Sequence, residues 1–182
     1  MEGLVVSEAK LAVNVQPSMG NRVPRAVLDE LGSHLFRYSH VFGGVLLAYD
    51  VRIVGNNASV LGDIHPYPGV QLTGNLLLFS PRMNMLLEGT VAKLTSESIH
   101  LVVLGFASAV VVDGDIREEF EYLTKRDEEV YQSKYYKHHV IKVGTIIRFR
   151  VKSFDEETIH ISGSLTGAGT GSVKWLDVGE KK

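Results

Sequence analysis

Between Val143 and Leu165 apolar and polar positions alternate in two runs, VGTIIRFRVKSF and TIHISGSL, joined by an acidic stretch. Successive side chains of a strand point to opposite faces, so Ile147, Phe149 and Val151 share one face of the first run and Arg148, Arg150 and Lys152 the other. In the second run Ile159 and Ile161 fall together, opposite Thr158, His160 and Ser162. Asp155-Glu156-Glu157 is polar enough to be the turn, and the whole predicts a β-hairpin. Its three cations fit either a solvated face or a strand face laid against a phosphate backbone.

The first half of the chain predicts β, α, β, β, β. A β-branched run with partial alternation predicts a strand over Val5 to Val15, and Pro17 to Asn21 breaks it. Pro24 suits a first helical turn, and Val27, Leu28, Leu31 and Leu35 recur at helical spacing, predicting an amphipathic helix from Pro24 to Tyr38 with Gly32 weakening its middle. Phe42 to Val54 is continuously apolar at its start before it alternates, as suits a central strand buried on both sides there. Ala58 to Ile64 and Val70 to Ser80 are further strands. They flank His65-Pro66-Tyr67-Pro68-Gly69, where two prolines in three positions predict a rigid, unpaired loop.

From Met85 the strands become short and closely spaced. Leu87, Gly89 and Val91 share a face, as do Ile99, Leu101 and Val103, and Gly105 to Val112 runs apolar through small residues. After Asp113-Gly114-Asp115, Ile116 to Leu123 fits two helical turns with Ile116, Phe120 and Leu123 inward. TKRDEEVYQSKYYKHH then shows no period and is expected to be a mobile insertion or docking loop. The hairpin supplies strands four and five. The fold class is therefore α+β, with a small antiparallel sheet carrying one helix, followed by an all-β five-stranded OB-fold barrel. The expected boundaries are 1–82 and 83–165, with an insertion at about 113–142. Residues 166–182 form a glycine-rich flexible tail with Trp175 as its anchor.

Composition narrows the function classes. A chain of 182 residues, 45% hydrophobic and 22% charged, has the makings of a packed core. A net charge of -2 gives no overall attraction to nucleic acid or anionic membrane, so any such contact is local. The chain has no cysteine, which removes thiol catalysis and cysteine-ligated zinc. Neither a signal peptide nor a long apolar run is visible, so no membrane partner is expected. Gly167, Gly169 and Gly171 precede Ser172 and so miss the third glycine of a dinucleotide loop. His138 and His139 are adjacent and point apart on an extended segment, which argues against one shared metal and for solvation. No nucleophile elbow occurs. No catalytic residue, metal or cofactor is expected.

Four segments together resemble the larger stalk subunit of nuclear RNA polymerases and its archaeal counterpart. They are GVLLAYDVRI (Gly44 to Ile53), LLLFSPRMNMLLEGTVAKLTSESIHLVVLGFASAVV (Leu76 to Val111), DIREEF (Asp115 to Phe120) and GTIIRFRVKSFD (Gly144 to Asp155). Within that family the chain is most similar to the polymerase I form, and its compact length to a plant version. The resemblance covers nearly residues 4 to 165. It implies a nuclear, nucleolar, non-catalytic subunit with an N-terminal tip domain that docks on the polymerase core subunits and pairs with a smaller stalk subunit. It also implies contact with a polymerase I initiation factor and an OB domain along the path of emerging RNA.

On that reading His65, Pro66, Tyr67, Pro68 and Gly69 are the core-docking candidates, and Arg148, Arg150 and Lys152 guide nascent RNA weakly. Two other readings stay open: a free-standing OB-fold protein that binds single-stranded RNA, and an unrecognised hydrolase resting only on scattered histidines.

Overall fold

The structure is a computed structural model describing residues 2–14, 22–54, 59–60, 68–125 and 128–179. The chain divides into two compact units, Leu4–Ser80 and Met1–Gly3 with Pro81–Lys182.

In the first unit β1 (Leu4–Asn14), β2 (Tyr38–Ser39), β3 (Gly44–Ile53), β4 (Ser59–Val60) and β5 (Pro68–Phe79) form one sheet in the order β1-β5-β3-β2, with β4 also on β5. All these pairings are antiparallel. The helix α1 (Val23–Ser33), the one α-helix among the described residues of this unit, carries Pro24 in its first turn and turns Val27 and Leu31 inward. They pack with Val13, Val70 and Leu72 in one buried cluster, Val13 lying on the face that the partial alternation of the first strand predicts.

The helix ends at Ser33 rather than Tyr38. Phe36 adopts a left-handed φ of 57° and its N–H donates to the carbonyl of Leu46 at 2.8 Å. The sheet thus captures the backbone, and Leu35, expected on the helix face, instead bridges Leu46.

The second unit is a barrel. Its strands β6 (Leu86–Leu94), β7 (Ser98–Val103), β8 (Ala107–Val112), β12 (Ile146–Asp155) and β13 (His160–Ser164) pair in the cycle β6-β7-β8-β13-β12-β6. Every pairing is antiparallel except β8 with β13, which is parallel. Five strands closed in this order make the OB-fold. Leu87, Val91, Ile99, Leu101, Val103, Val111, Ile147, Phe149, Val151 and Ile161 fill the interior, each less than 3% exposed. The alternation of the sequence therefore assigns the inward face correctly on β6, β7, β12 and β13, while β8, read only as an apolar run, turns Ala107, Ala109 and Val111 inward. One detail differs: Ile159 lies in the turn with a left-handed φ of 52°, and β13 begins at His160. Asp155 shapes that turn by accepting the N–H groups of Glu157 and Thr158 at 2.9 and 3.1 Å. These donors, Thr158 first, hold its carboxyl below the ordinary range.

The segment between β8 and β12 is neither helical nor aperiodic. A single 3-10 turn (Asp113–Asp115) leads to β9 (Phe120–Lys125), β10 (Glu128–Ser133) and β11 (Val140–Lys142), a three-stranded antiparallel sheet in the order β11-β10-β9. Phe120, Val130, Tyr131 and Ile141 are buried. Tyr131 also donates its hydroxyl to the carbonyl of Thr95 at 2.7 Å, and burial, followed by the charge of Asp113, pushes it up to about 12. Charged residues obscure this period in the sequence because the strands are short and exposed at Glu128, Glu129 and Lys125. The expected flexible tail is likewise folded over β14 (Gly171–Ser172) and α2 (Val173–Gly179).

Gly163 on β13 faces the Phe149 ring, and a Cβ there would stand 2.5 Å from the ring carbon Cδ2. Phe149 is fully buried and has nowhere to swing. We expect Gly163→Ala to destabilise the barrel by about 2 kcal/mol, measured as a lowered urea midpoint at unchanged slope.

Candidate nucleic-acid interface

Arg148, Arg150 and Lys152 do share the outer face of β12, as the alternation requires, while Ile147, Phe149 and Val151 point inward. Two of the three cations are engaged by carboxylates of the same unit. Arg148 stands directly opposite Glu88 in the β6–β12 register and donates Nε and Nη2 to its Oε1 at 2.9 and 2.8 Å. Lys152 Nζ donates to Asp115 Oδ2 at 2.8 Å. Arg150 differs: its Nη1 donates to the neutral carbonyl of Asn84 at 3.1 Å, and its guanidinium lies beside Gly167. A phosphate approaching this face would compete with Glu88 and Asp115 for two of the cations, and Arg150 alone of the three has no carboxylate partner among the described residues. The sequence shows that these residues share a face; it does not show their cross-strand partners, which depend on strand order.

His65, Pro66 and Tyr67 lie outside the described residues. Pro68 and Gly69 open β5, and their backbones pair with Val60 and with Asn14 and Ser59, so regular pairing starts two residues earlier than the prolines suggested. Proline is compatible with the first residue of a strand.

One further polar cluster is barely visible in the sequence. His139, expected to be solvated, is fully buried, whereas His138 is exposed. The His139 ring stacks on Trp175 of α2 at 4.0 Å with 4° between planes, and meets Phe120 edge-on at 4.9 Å. Its Nε2 accepts the N–H of Ser172 at 3.0 Å, so the ring proton resides on Nδ1, a buried atom with no hydrogen-bond partner among the described residues. Arg117 donates Nη2 to the carbonyl of Thr170 at 3.1 Å and pairs with Glu119 at 3.1 Å. Thr170 Oγ1 in turn donates to the carbonyls of Leu165 and Gly167.

Gly171 has φ +126°, and a Cβ on it would sit 2.5 Å from His139 Nε2, so only glycine brings the chain this close to the imidazole. Burial, followed by the charge of Arg117, lowers the His139 pKa to about 4. His139 is thus a neutral latch for residues 170–175. Trp175, the anchor expected from the sequence, is the one local signal that points toward it.

Among the described residues no group of three His, Asp or Glu side chains is placed to hold a metal ion. No described helix is long and apolar enough to cross a membrane.

No family model matches the chain. Curated relatives do. A probable DNA-directed RNA polymerase I subunit RPA43 of Dictyostelium discoideum is 30% identical over 145 residues, covering 78% of this chain and 39% of the relative. The RPA43 subunit of Mus musculus is 30% identical over 112 residues, 59% of this chain and 33% of the relative. That of Schizosaccharomyces pombe is 24% identical over 114 residues, 62% and 65% respectively. This chain is homologous to RNA polymerase I subunit RPA43. The Dictyostelium match is longer than either compact unit, so the homology runs through both the small sheet and the barrel. The matched region spans well under half of the first two relatives' own lengths. A solved structure of a candidate exosome complex RNA-binding protein overlaps 52% of this chain and 49% of its own at 18% identity and a TM-score of 0.36.

Two outcomes follow from the geometry. Arg148→Glu should destabilise the barrel by about 1.5 kcal/mol, and the exchange Arg148→Glu with Glu88→Arg should recover most of it in a double-mutant cycle. For His139 the folded pKa lies below the unfolded value near 6.5, so the unfolded chain binds more protons between the two. Its contribution is whole above about pH 6.5 and is lost as pH falls toward about 4. Thermal midpoints compared at pH 7 and pH 4.5 should therefore drop less in His139→Phe than in the unaltered chain.

Proposed function

We propose that this chain is a non-catalytic stalk subunit of a DNA-directed RNA polymerase, namely polymerase I, acting in the nucleolus during rRNA transcription. The observation that carries this reading is homology to RPA43 running through a helix-backed sheet and an OB barrel in one chain. The first unit, through the segment 65–69, docks on the core subunits and pairs with a smaller stalk subunit. The assembly also presents itself to the polymerase I initiation factor. A docking segment with two prolines in three positions loses little conformational freedom on binding, which suits it to plugging a groove.

The barrel meets exiting RNA weakly. Arg150 is the member of the Arg148, Arg150 and Lys152 set with a charge to offer, while Arg148 and Lys152 chiefly hold strands and turn in place. Weak contact suffices where a polymerase holds its own transcript at high local concentration. A free-standing RNA-binding OB protein is the competing reading, and the paired state of two of its three expected cations counts against it.

Purification from nuclei through an affinity tag on the full chain should recover the large subunits of polymerase I in stoichiometric amount. Recovery of the tagged chain alone, or with the large subunits of a different polymerase, would overturn the assignment.

A further inference from the structure

The loop between β10 and β11 reads Lys134-Tyr135-Tyr136-Lys137-His138, and all five residues are exposed. Tyr135 is 76% and Tyr136 54% exposed, which is unusual for rings of this size on a segment so firmly held. Ser133, itself buried, accepts the N–H groups of Tyr135 and Tyr136 at its Oγ at 3.2 and 3.1 Å. The Gln132 side chain donates to the carbonyl of Lys137 at 2.7 Å. Backbone bonds from Ser133 to His139, from His139 to Tyr136 and from Lys134 to Glu119 close the loop at 3.0, 2.8 and 2.8 Å.

Behind it lies the latch. The Tyr136 ring sits 5.2 Å from that of Trp175, and Trp175 stacks on His139. This brings α2, with exposed Lys174, against the same loop.

Charge distinguishes this surface from the outer face of β12. Among the described residues Lys134, Lys137 and Lys174 form no ion pair, whereas Arg148 and Lys152 do. Asp177 is the exposed carboxylate of α2. A fixed platform of open aromatic faces interleaved with unpaired lysines matches a polymer that alternates flat bases with phosphates, provided the bases are not already paired. An acidic peptide would use the lysines and leave Tyr135 idle.

We propose that the 134–138 loop together with α2 is a binding site for single-stranded RNA, with a base stacked on Tyr135 and backbone phosphates held by Lys134, Lys137 and Lys174. The choice of RNA over single-stranded DNA rests on the polymerase reading above; the site itself does not. Its pinned backbone means that little ordering accompanies binding.

The test uses the full chain and a fluorescein-labelled oligouridylate of about 12 nucleotides, followed by anisotropy over a series of salt concentrations. Tyr135→Ala should weaken binding at least about fivefold. Lys134→Ala with Lys137→Ala should flatten the slope of log affinity against log salt by about 1.4, or about 0.7 for each phosphate no longer neutralised. A duplex of equal length should bind more weakly than the single strand. Thermal melting identifies any variant that has lost its fold, and Tyr135, being so exposed, should leave it unchanged.

Absence of salt-dependent binding by the unaltered chain, variants that bind as it does, or a duplex that binds as tightly as the single strand would each overturn the site. Oligothymidylate bound as tightly as oligouridylate would overturn the choice of RNA. Tagged Tyr135→Ala chain should still recover the large polymerase subunits from nuclei. Failure of the unaltered chain to recover them bears on the stalk reading and on the choice of RNA that rests on it, not on the site.

Discussion

Strand β12 is the constraint on which the second unit depends. Its ten residues pair with β6 along one edge and with β13 and then β14 along the other, with a register shift between Val151 and Ser153 where the strand curves. A bulge of this kind bends a strand and increases its twist, which a five-stranded sheet needs in order to close. The same strand supplies Ile147, Phe149 and Val151 to the interior. Losing the alternation of β12 would open the barrel, expose its core and release the C-terminal segment together.

That economy limits what the outer face of β12 is free to do. Arg148 and Lys152 stand where a nucleic-acid groove would want them, yet their neighbours across the sheet and turn are Glu88 and Asp115. Charge that serves the fold has already lost much of its long-range field. The unengaged cations that accompany exposed rings lie instead on the inserted sheet and on α2, two elements that the five barrel strands do not require.

Period-two alternation made the barrel legible, because a strand half-buried in a closed sheet must obey it; Leu87 to Val91, Ile99 to Val103 and Ile147 to Val151 all do. The inserted sheet was not legible. Its strands Phe120–Lys125 and Glu128–Ser133 bury only Phe120, Val130, Tyr131 and Ser133, and charge at half of the other positions masks the pattern. Helix length was misjudged because Leu35 keeps helical spacing while a sheet hydrogen bond at Phe36 decides the backbone. His139 was missed because its burial depends on a partner, Trp175, 36 residues away in the chain (175 minus 139), and no local rule encodes such a meeting.

The inserted sheet bears on how the barrel comes together as well as on what it binds. Joining β6 to β12 brings Arg148 to Glu88 across 60 residues, and closing a loop of that size costs entropy that grows with the logarithm of its length. Two local antiparallel pairings, β9 with β10 and β10 with β11, shorten the effective loop before the ends must meet. Arg148 then acts as a register mark. Slipped by one residue, β12 would set its guanidinium opposite Leu87 or Gly89, on the interior face and away from Glu88, so the misaligned barrel carries a buried unpaired charge that the native one avoids.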